Sequence, residues 1–589
     1  MTNLWVETCQ LTSHKTRQRT AGESVAAAFI RAAVLPLYRR KLKRFEAMTH
    51  RARDVQREAL MRKIKYCADS RFGRQHSFSA IGSIKDFRRN VPISHYEDLA
   101  SYITAAAAGR PDALFPPGEK IVAFASTTGT TGTPKLNPVT RTWLNEYRRG
   151  WEIWGIKALI DHPATHGLKT LSLGGASELG ATPGGLPIHM ASAITAKYQN
   201  PIMRSFYATP GNVADIKDPD DRYYTILRLA LPQSVGMIVS VTAGNLLRLA
   251  ETGRDQAQDL IRDLYDGSLR RGIDLPPAIG KSLQRALKMR HRTRAKQLEQ
   301  LIERRGALVP RDYWPIGLIA CWLGGTVGYR SGDLGKFYGD TPQRDLGLVS
   351  TEGRHSIPFD DSSPDGVLAV DGSFYEFIPV DDVASSQPTV LEGWELRPGA
   401  DYYVLVTTSS GLYRYNLDDI IRCKGFKGEA PVMEFLNKAS CYSDMEGEKL
   451  SGYQVAQTVQ QLNRDLGISL GNITAVPIRP LSDEPPYYAM AIEADRLVDD
   501  ALARVVLQSI DSALIRQNVM YASKRNDRYI GPPRLLRLAP GSWAEFVATE
   551  AARRGTGEVQ FKHPSLVSDS SWLDRFDIVD AVSGGGTAR

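Results

Sequence analysis

Ser126, Thr127, Thr128, Gly129, Thr130, Thr131, Gly132, Thr133, Pro134 and Lys135 crowd hydroxyls, glycines and one lysine into ten consecutive residues. The apolar run before them, Ile121, Val122, Ala123, Phe124 and Ala125, reads as a buried strand. Such a loop offers bare backbone N–H groups, small hydroxyl donors and one mobile cation, which is what a polyphosphate needs. Leu136 stands where a Walker loop carries Ser or Thr, so this phosphate pattern is of another type. Further on, Ser350, Thr351 and Glu352 close a turn-like segment, and Asp418 and Asp419 follow Gly411, Leu412, Tyr413, Arg414 and Tyr415. Gly425 and Phe426 come next, and Lys562 stands between Gln560-Phe561 and His563-Pro564. Other sets fall short of a chemistry. His162 and His166 are four apart, but Pro163 between them argues against the helix that would let them share a metal. Ser177 lacks the second glycine of a nucleophile elbow. Gly324, Gly325 and Gly328 do not have dinucleotide-binding spacing.

These residues need elements to hold them. A chain of 589 residues is too long for one core and suggests about two to four domains. Hydrophobic content of 42% with 24% charged residues is that of a soluble globular protein, which excludes the disordered and fibrous classes. Helical periodicity runs over residues 24–67. Strand-like runs follow at 169–173, 236–241 and 402–407, with helical stretches at 143–159 and 282–304. Strands alternating with helices predict an α/β sheet. Residues 366–377 read as a hairpin turning on Asp371-Gly372. Past residues 438–450 the pattern changes to strand 487–493, amphipathic helix 499–518, strand 534–538 and helix 543–554, a small α+β unit. Residues 440–448, rich in Asp, Glu, Ser and Gly, read as a hinge.

The five cysteines are scattered with no CxxC pair, which argues against a disulfide framework or zinc ribbon and fits a reducing cytoplasm. The net charge of +9 gathers in residues 288–296 and at Arg304-Arg305. Few aromatics interleave these charges, so they read as a solvated helix face and no nucleic-acid partner is expected. The apolar run 25–38, interrupted by Arg31 and Pro36, is too short for a bilayer and reads as an amphipathic helix, so no membrane partner is expected.

Taken in order, the motifs resemble those of adenylate-forming enzymes, and more narrowly the Gretchen Hagen (auxin-responsive promoter) family of acyl-acid amido synthetases. The resemblance spans residues 49–564. It rests on the phosphate loop, Pro92-Ile93-Ser94-His95-Tyr96-Glu97-Asp98-Leu99, Phe374-Tyr375-Glu376-Phe377-Ile378-Pro379, Gly411 through Ile421, the trio Asn518, Tyr521 and Arg525, and Gln560-Phe561-Lys562. It implies an α/β fold: a large multi-subdomain N-terminal adenylating domain and a small α+β C-terminal domain. The expected boundaries are a flexible segment 1–20, an ATP- and acyl-binding domain 21–438, a hinge 439–450, a mobile small domain 451–582 and a flexible tail 583–589.

The implied activity is that of a ligase. ATP adenylates a small carboxylic acid, and the acyl group passes to an amine, by family default an amino acid, with release of AMP and pyrophosphate. An acyl-CoA ligase with a thiol acceptor, or a non-catalytic nucleotide-binding relative, are the alternatives. By resemblance, Ser126, Thr127, Gly129, Thr130, Gly132 and Lys135 cradle the ATP phosphates, and Thr351 lines the same site. Glu352 holds Mg²⁺, Asp419 accepts from the ribose hydroxyls, Phe426 packs near the nucleotide, and Lys562 stabilises charge at the α-phosphate. Arg414 either partners Asp419 or touches phosphate, and Glu448 with Lys449 resemble hinge residues of bacterial members. Leu348 occupies the position of a family tyrosine that stacks on adenine, and Asp418 replaces the glycine that usually precedes the ribose aspartate. Segments 173–178, 235–247 and 322–326 are expected to border the acyl pocket.

Overall fold

The computed structural model describes residues 21–126, 135–174, 179–197, 204–325, 328–383, 385–439, 442–480, 482, 484–554 and 561–583. The expected flexible segment 1–20 and the tail beyond Ser583 lie outside these residues, as do Ser177, Cys9 and Cys441. Helix α1 (Ala21–Phe29) continues through a π-helical turn, Ile30–Val34, into α2 (Leu35–Thr49). Pro36 stands in the first turn of α2. Its missing N–H and its ring disturb the i→i−4 ladder just where the helix widens. Leu42 and Phe45 bury one face of α2. Gly167, at φ 78°, seats α1: a Cβ there would lie 2.5 Å from the Glu23 carbonyl oxygen. Lys41 forms an ion pair with Glu152 on α3 (Arg141–Asp161), tying α2 to that helix.

Among the described residues, three sheets build the large region. Strand β1 (Ile121–Ser126) pairs antiparallel with β2 (Leu136–Thr140) and parallel with Pro187–Met190. Lys169–Leu173, Val235–Ser240, Leu318–Ala320 and Gln343–Arg344 form a wholly parallel sheet, as the strand–helix alternation predicts. A seven-stranded antiparallel sheet contains Phe374–Pro379, Asp401–Thr407, β3 (Tyr415–Lys427) and β4 (Ala430–Lys438). The hairpin expected at Asp371-Gly372 does not form. Asp365–Leu368 pairs with β4 and Phe374–Pro379 with Asp401–Thr407, so long-range partners override the local turn signal. The helix expected over 282–304 is two helices, Pro277–Leu287 and Arg292–Arg305. Buried Arg228 donates to the Leu287 and Met289 carbonyls, ending the first. In the basic stretch, Arg290 and Arg294 donate to the Asp266, Leu231 and Tyr313 carbonyls, so part of this charge caps helix ends.

Residues from Met445 onward pack into apolar cores of their own, separate from those of the large region. Helices α4 (Gly452–Leu466) and α5 (Asp500–Gln517) pack together on the strand order Thr474–Ile478, Tyr487–Glu493, Arg534–Leu538, Ile578–Ser583. Asn518 ends α5, caps the next helix, and donates from Nδ2 to the Glu448 carbonyl at 2.9 Å. Tyr521 and Arg525 both donate to Asp511. The trio named from sequence is thus a set of structural clasps. Glu448 is 1% exposed, and its carboxylate accepts the Met445 and Glu446 amides and the Tyr488 hydroxyl. It is a fixed part of the small domain.

In the large region, Glu376 is 1% exposed and accepts from Arg88 Nε at 2.8 Å and Arg414 Nε at 2.9 Å. Arg414 also donates to the Val91 carbonyl and stays clear of the cavity described below, so it is a structural partner of Glu376. Glu376→Ala should destabilise the large domain by about 3–5 kcal/mol, because two guanidinium groups lose a buried counter-charge. A lowered urea midpoint for that domain's transition is the measurement.

Candidate functional site

A cavity of about 2210 Å³ opens between the large and small domains. Ser126, the last residue of β1, lines it, and so does Lys135, which leads into β2. Thr127, Gly129, Thr130 and Gly132 lie outside the described residues. Lys135 holds its ammonium 5.4 Å from the Tyr96 ring centroid. The Leu136 N–H donates to the Tyr96 hydroxyl at 3.0 Å. Ser126 is thus held in a sheet strand, and Lys135 and Leu136 by Tyr96.

Thr351 and Glu352 line the same cavity on a tight turn. Asn137 Nδ2 donates to the Thr351 carbonyl and Trp143 Nε1 to the Glu352 carbonyl, each at 2.8 Å, so β2 and α3 hold the turn from beneath. The Glu352 N–H donates to Ser350 Oγ, which pairs with His355 Nε2 at 2.9 Å. Burial pushes the His355 imidazole down to about 4, while the Asp419 carboxylate pulls the other way. The ring stays neutral and keeps its hydrogen bond to the turn.

Asp419 is 3% exposed and faces the cavity from β3. Its cross-strand neighbour on β4 is Lys438, whose ammonium donates to Asp419 Oδ1 at 2.6 Å and to the Leu417 carbonyl. Burial tends to lower the Lys438 pKa, but Asp419, Glu352 and Asp418 outweigh it and raise it, so the ammonium persists. Sequence reasoning missed Lys438. Its role comes from strand register, which local pattern does not disclose. Asp418 sits at φ 56°, a left-handed conformation that explains why glycine suits the position and that Asp tolerates better than most residues. Its carboxylate meets His95 at 3.9 Å and its N–H donates to Asn416. Leu348 is buried in the cavity wall.

Lys562 reaches the cavity from the small domain, with Nζ 4.3 Å from the Trp322 ring centroid. The chain after it is anchored: Thr474 Oγ1 donates to the Pro564 carbonyl, Ser565 Oγ donates to the Gly452 carbonyl, and His563 meets the Trp543 ring edge-on at 4.4 Å. Phe426 is not brought to this site. It shares β3 with Asp419, seven residues on and roughly 23 Å along the strand, and stands 38% exposed opposite Pro431. Leu173, Gly174, Met237, Val239, Trp322 and Gly324 line the cavity, in the segments expected to border an acyl pocket. His162 and His166 hold no common ligand position. His162 meets Asp361 and His166 meets the Leu159 carbonyl.

The His355 shift sets a pH dependence. An unfolded imidazole protonates below about 6.5, whereas the folded one resists until about 4. Stability from the neutral ring should thus fall by about 3 kcal/mol as pH drops through that window. A His355→Gln variant should lack this component, so urea titrations of the two proteins at stepped pH should converge towards pH 4.

Models of the GH3 family N-terminal, central and C-terminal domains match residues 41–342, 366–438 and 453–571 in that order. The "Probable indole-3-acetic acid-amido synthetase GH3.4" of Oryza sativa subsp. japonica is 25% identical, with 94% of this chain and 93% of that protein covered. The "4-substituted benzoates-glutamate ligase GH3.12" of Arabidopsis thaliana is 23% identical, with 83% and 88% covered. The solved structure of the AtGH3.15 acyl acid amido synthetase in complex with 2,4-DB has the same fold, with a TM-score of 0.79 over 92% of this chain and 97% of that one at 20% identity. With three domain models matched in sequence order and across most of its length, the chain belongs to the GH3 family.

Proposed function

We propose that this protein is a ligase that adenylates a carboxylic acid with ATP and transfers the acyl group to an amine, an amino acid in the first instance. The observation that carries the reading is the convergence of Ser126, Lys135, Glu352, Asp419 and Lys562, drawn from both domains, on one cavity. The names of the relatives, amido synthetases and an amino-acid ligase, support the same chemistry. In the first half-reaction a carboxylate oxygen of the acid bonds to the α-phosphorus and pyrophosphate leaves. In the second, the amine nitrogen bonds to the acyl carbon, AMP leaves, and the amine gives up a proton.

The roles follow from residue chemistry. Ser126 with Thr127, Gly129, Thr130 and Gly132 offers hydroxyls and amides to the phosphates, and Lys135 adds a cation. Asp419, held in place by Lys438, has a second carboxylate oxygen for ribose hydroxyls. Lys562, resting on Trp322, supplies positive charge where the α-phosphate gains negative charge. Glu352 and Thr351 suit Mg²⁺. A single carboxylate is the donor set expected when phosphate oxygens and water fill the remaining positions, and among the described residues no larger acidic or histidine cluster competes for the ion. That ion would neutralise phosphate charge. Buried thiols at Cys67, Cys321 and Cys423 fit a reducing, cytoplasmic setting. Among the described residues no helix is long and apolar enough to cross a membrane.

Lys562→Ala should lower kcat for pyrophosphate release about 10²–10³-fold with little change in the KM for acid. Asp419→Asn should raise the KM for ATP more than it lowers kcat. The acceptor is tested by following AMP in the presence of amino acids or CoA. AMP formation with CoA alone would assign the second step to a thiol.

A further inference from the structure

The end of the cavity bounded by Glu352, Asp419 and Lys562 suits a nucleotide. The lining of the same cavity also includes Phe29, Ile30, Val34 and Tyr38, from α1, the π-helical turn and α2. At about 2210 Å³ it is more than twice the roughly 1,000 Å³ upper range for a single-ligand pocket. Along α3 the lining runs from Asn145 to Leu159, about 21 Å at 1.5 Å per residue.

The far arm is apolar by construction. Ile30, Val34 and Tyr38 recur every four residues and so share one helix face, and all three line it. Gly155 and Leu159 do the same from α3. Among the charges that line the cavity here, Glu152 pairs with Lys41, Arg149 with Asp371, and Lys169 donates to the Ser205 carbonyl. A Cβ built on Gly155 meets nothing within 4 Å, so the helix wall there borders open space. The family's N-terminal domain model begins its match at residue 41, so Ile30, Val34 and Tyr38 lie outside it.

We propose that this arm receives the hydrocarbon tail of the acyl acid, which makes the preferred substrate a long apolar carboxylic acid of the fatty-acid type. The inference rests on the adenylating reading for its carboxylate end. Each buried methylene is worth roughly fourfold in affinity, so chain length should be read out steeply.

The test uses the full-length protein with hexanoate, dodecanoate and benzoate. Calorimetry measures binding and pyrophosphate release measures turnover. The expected result is that dodecanoate exceeds hexanoate and benzoate by at least about tenfold in both affinity and kcat/KM. Gly155→Leu, which adds a side chain to a helix position with space around it, should collapse the dodecanoate-to-hexanoate ratio about tenfold without lowering Tm. Chain length without effect, or a Gly155→Leu loss equal for both acids, overturns the proposal. Length-dependent binding with no pyrophosphate release would instead uphold the arm and overturn the ligase reading. Pyrophosphate release with benzoate as the best acid would do the reverse.

Discussion

The buried carboxylate of Glu376 is the tie on which the site's geometry depends. It binds Arg88 from one segment and Arg414 from another. Arg414 at φ 45° turns the chain so that its carbonyl accepts the Ser94 N–H, and the Asn416 N–H returns to the Ser94 carbonyl. From that junction the chain enters β3 and reaches Asp419, while Tyr96, two residues past Ser94, holds the start of β2 through Leu136. Two features far apart in sequence thereby share one scaffold. The charges are costly to bury and are kept only because each oxygen of the carboxylate has a guanidinium partner.

The cleft is then completed from outside that scaffold. Lys562 comes from a domain with its own cores and is set against Trp322, whose indole N–H donates to the Gly347 carbonyl. The face of the indole draws the ammonium electrostatically and fixes where it stands. At Asp419 a carboxylate is fixed by a cation instead, with Lys438 on one of its oxygens.

Much of this was legible in the chain, and the reasons differ by element. Short strands bounded by turn residues, such as Tyr487–Glu493 and Arg534–Leu538, fall where the apolar pattern places them. Polar motifs with an unusual density of hydroxyls or charges marked Ser126, Lys135, Glu352 and Asp419, all of which line the cavity. What failed was pairing. The Asp371-Gly372 turn signal is real, yet its flanking strands choose partners remote in sequence. Lys438 was invisible because its importance comes from standing opposite Asp419 across two strands. Phe426 misled for the converse reason: proximity in sequence along an extended strand is separation in space. Arg414 was read as a partner of Asp419 or of phosphate and Glu448 as a hinge residue, whereas burial makes both of them fasteners.

The fastening of Glu448 also limits how the two halves could move. Its carboxylate is bonded to Tyr488 and to the Met445 and Glu446 amides, and its carbonyl to Asn518, so the chain from Met445 onward is welded to the small domain. Any swivel between the halves must be absorbed upstream of that weld, over a much shorter stretch than acidic composition alone would mark. A brief pivot with a rigid arm behaves like a door on its pin rather than a weight on a string. Lys562 would then sweep a single arc, returning to the same spot on each closure.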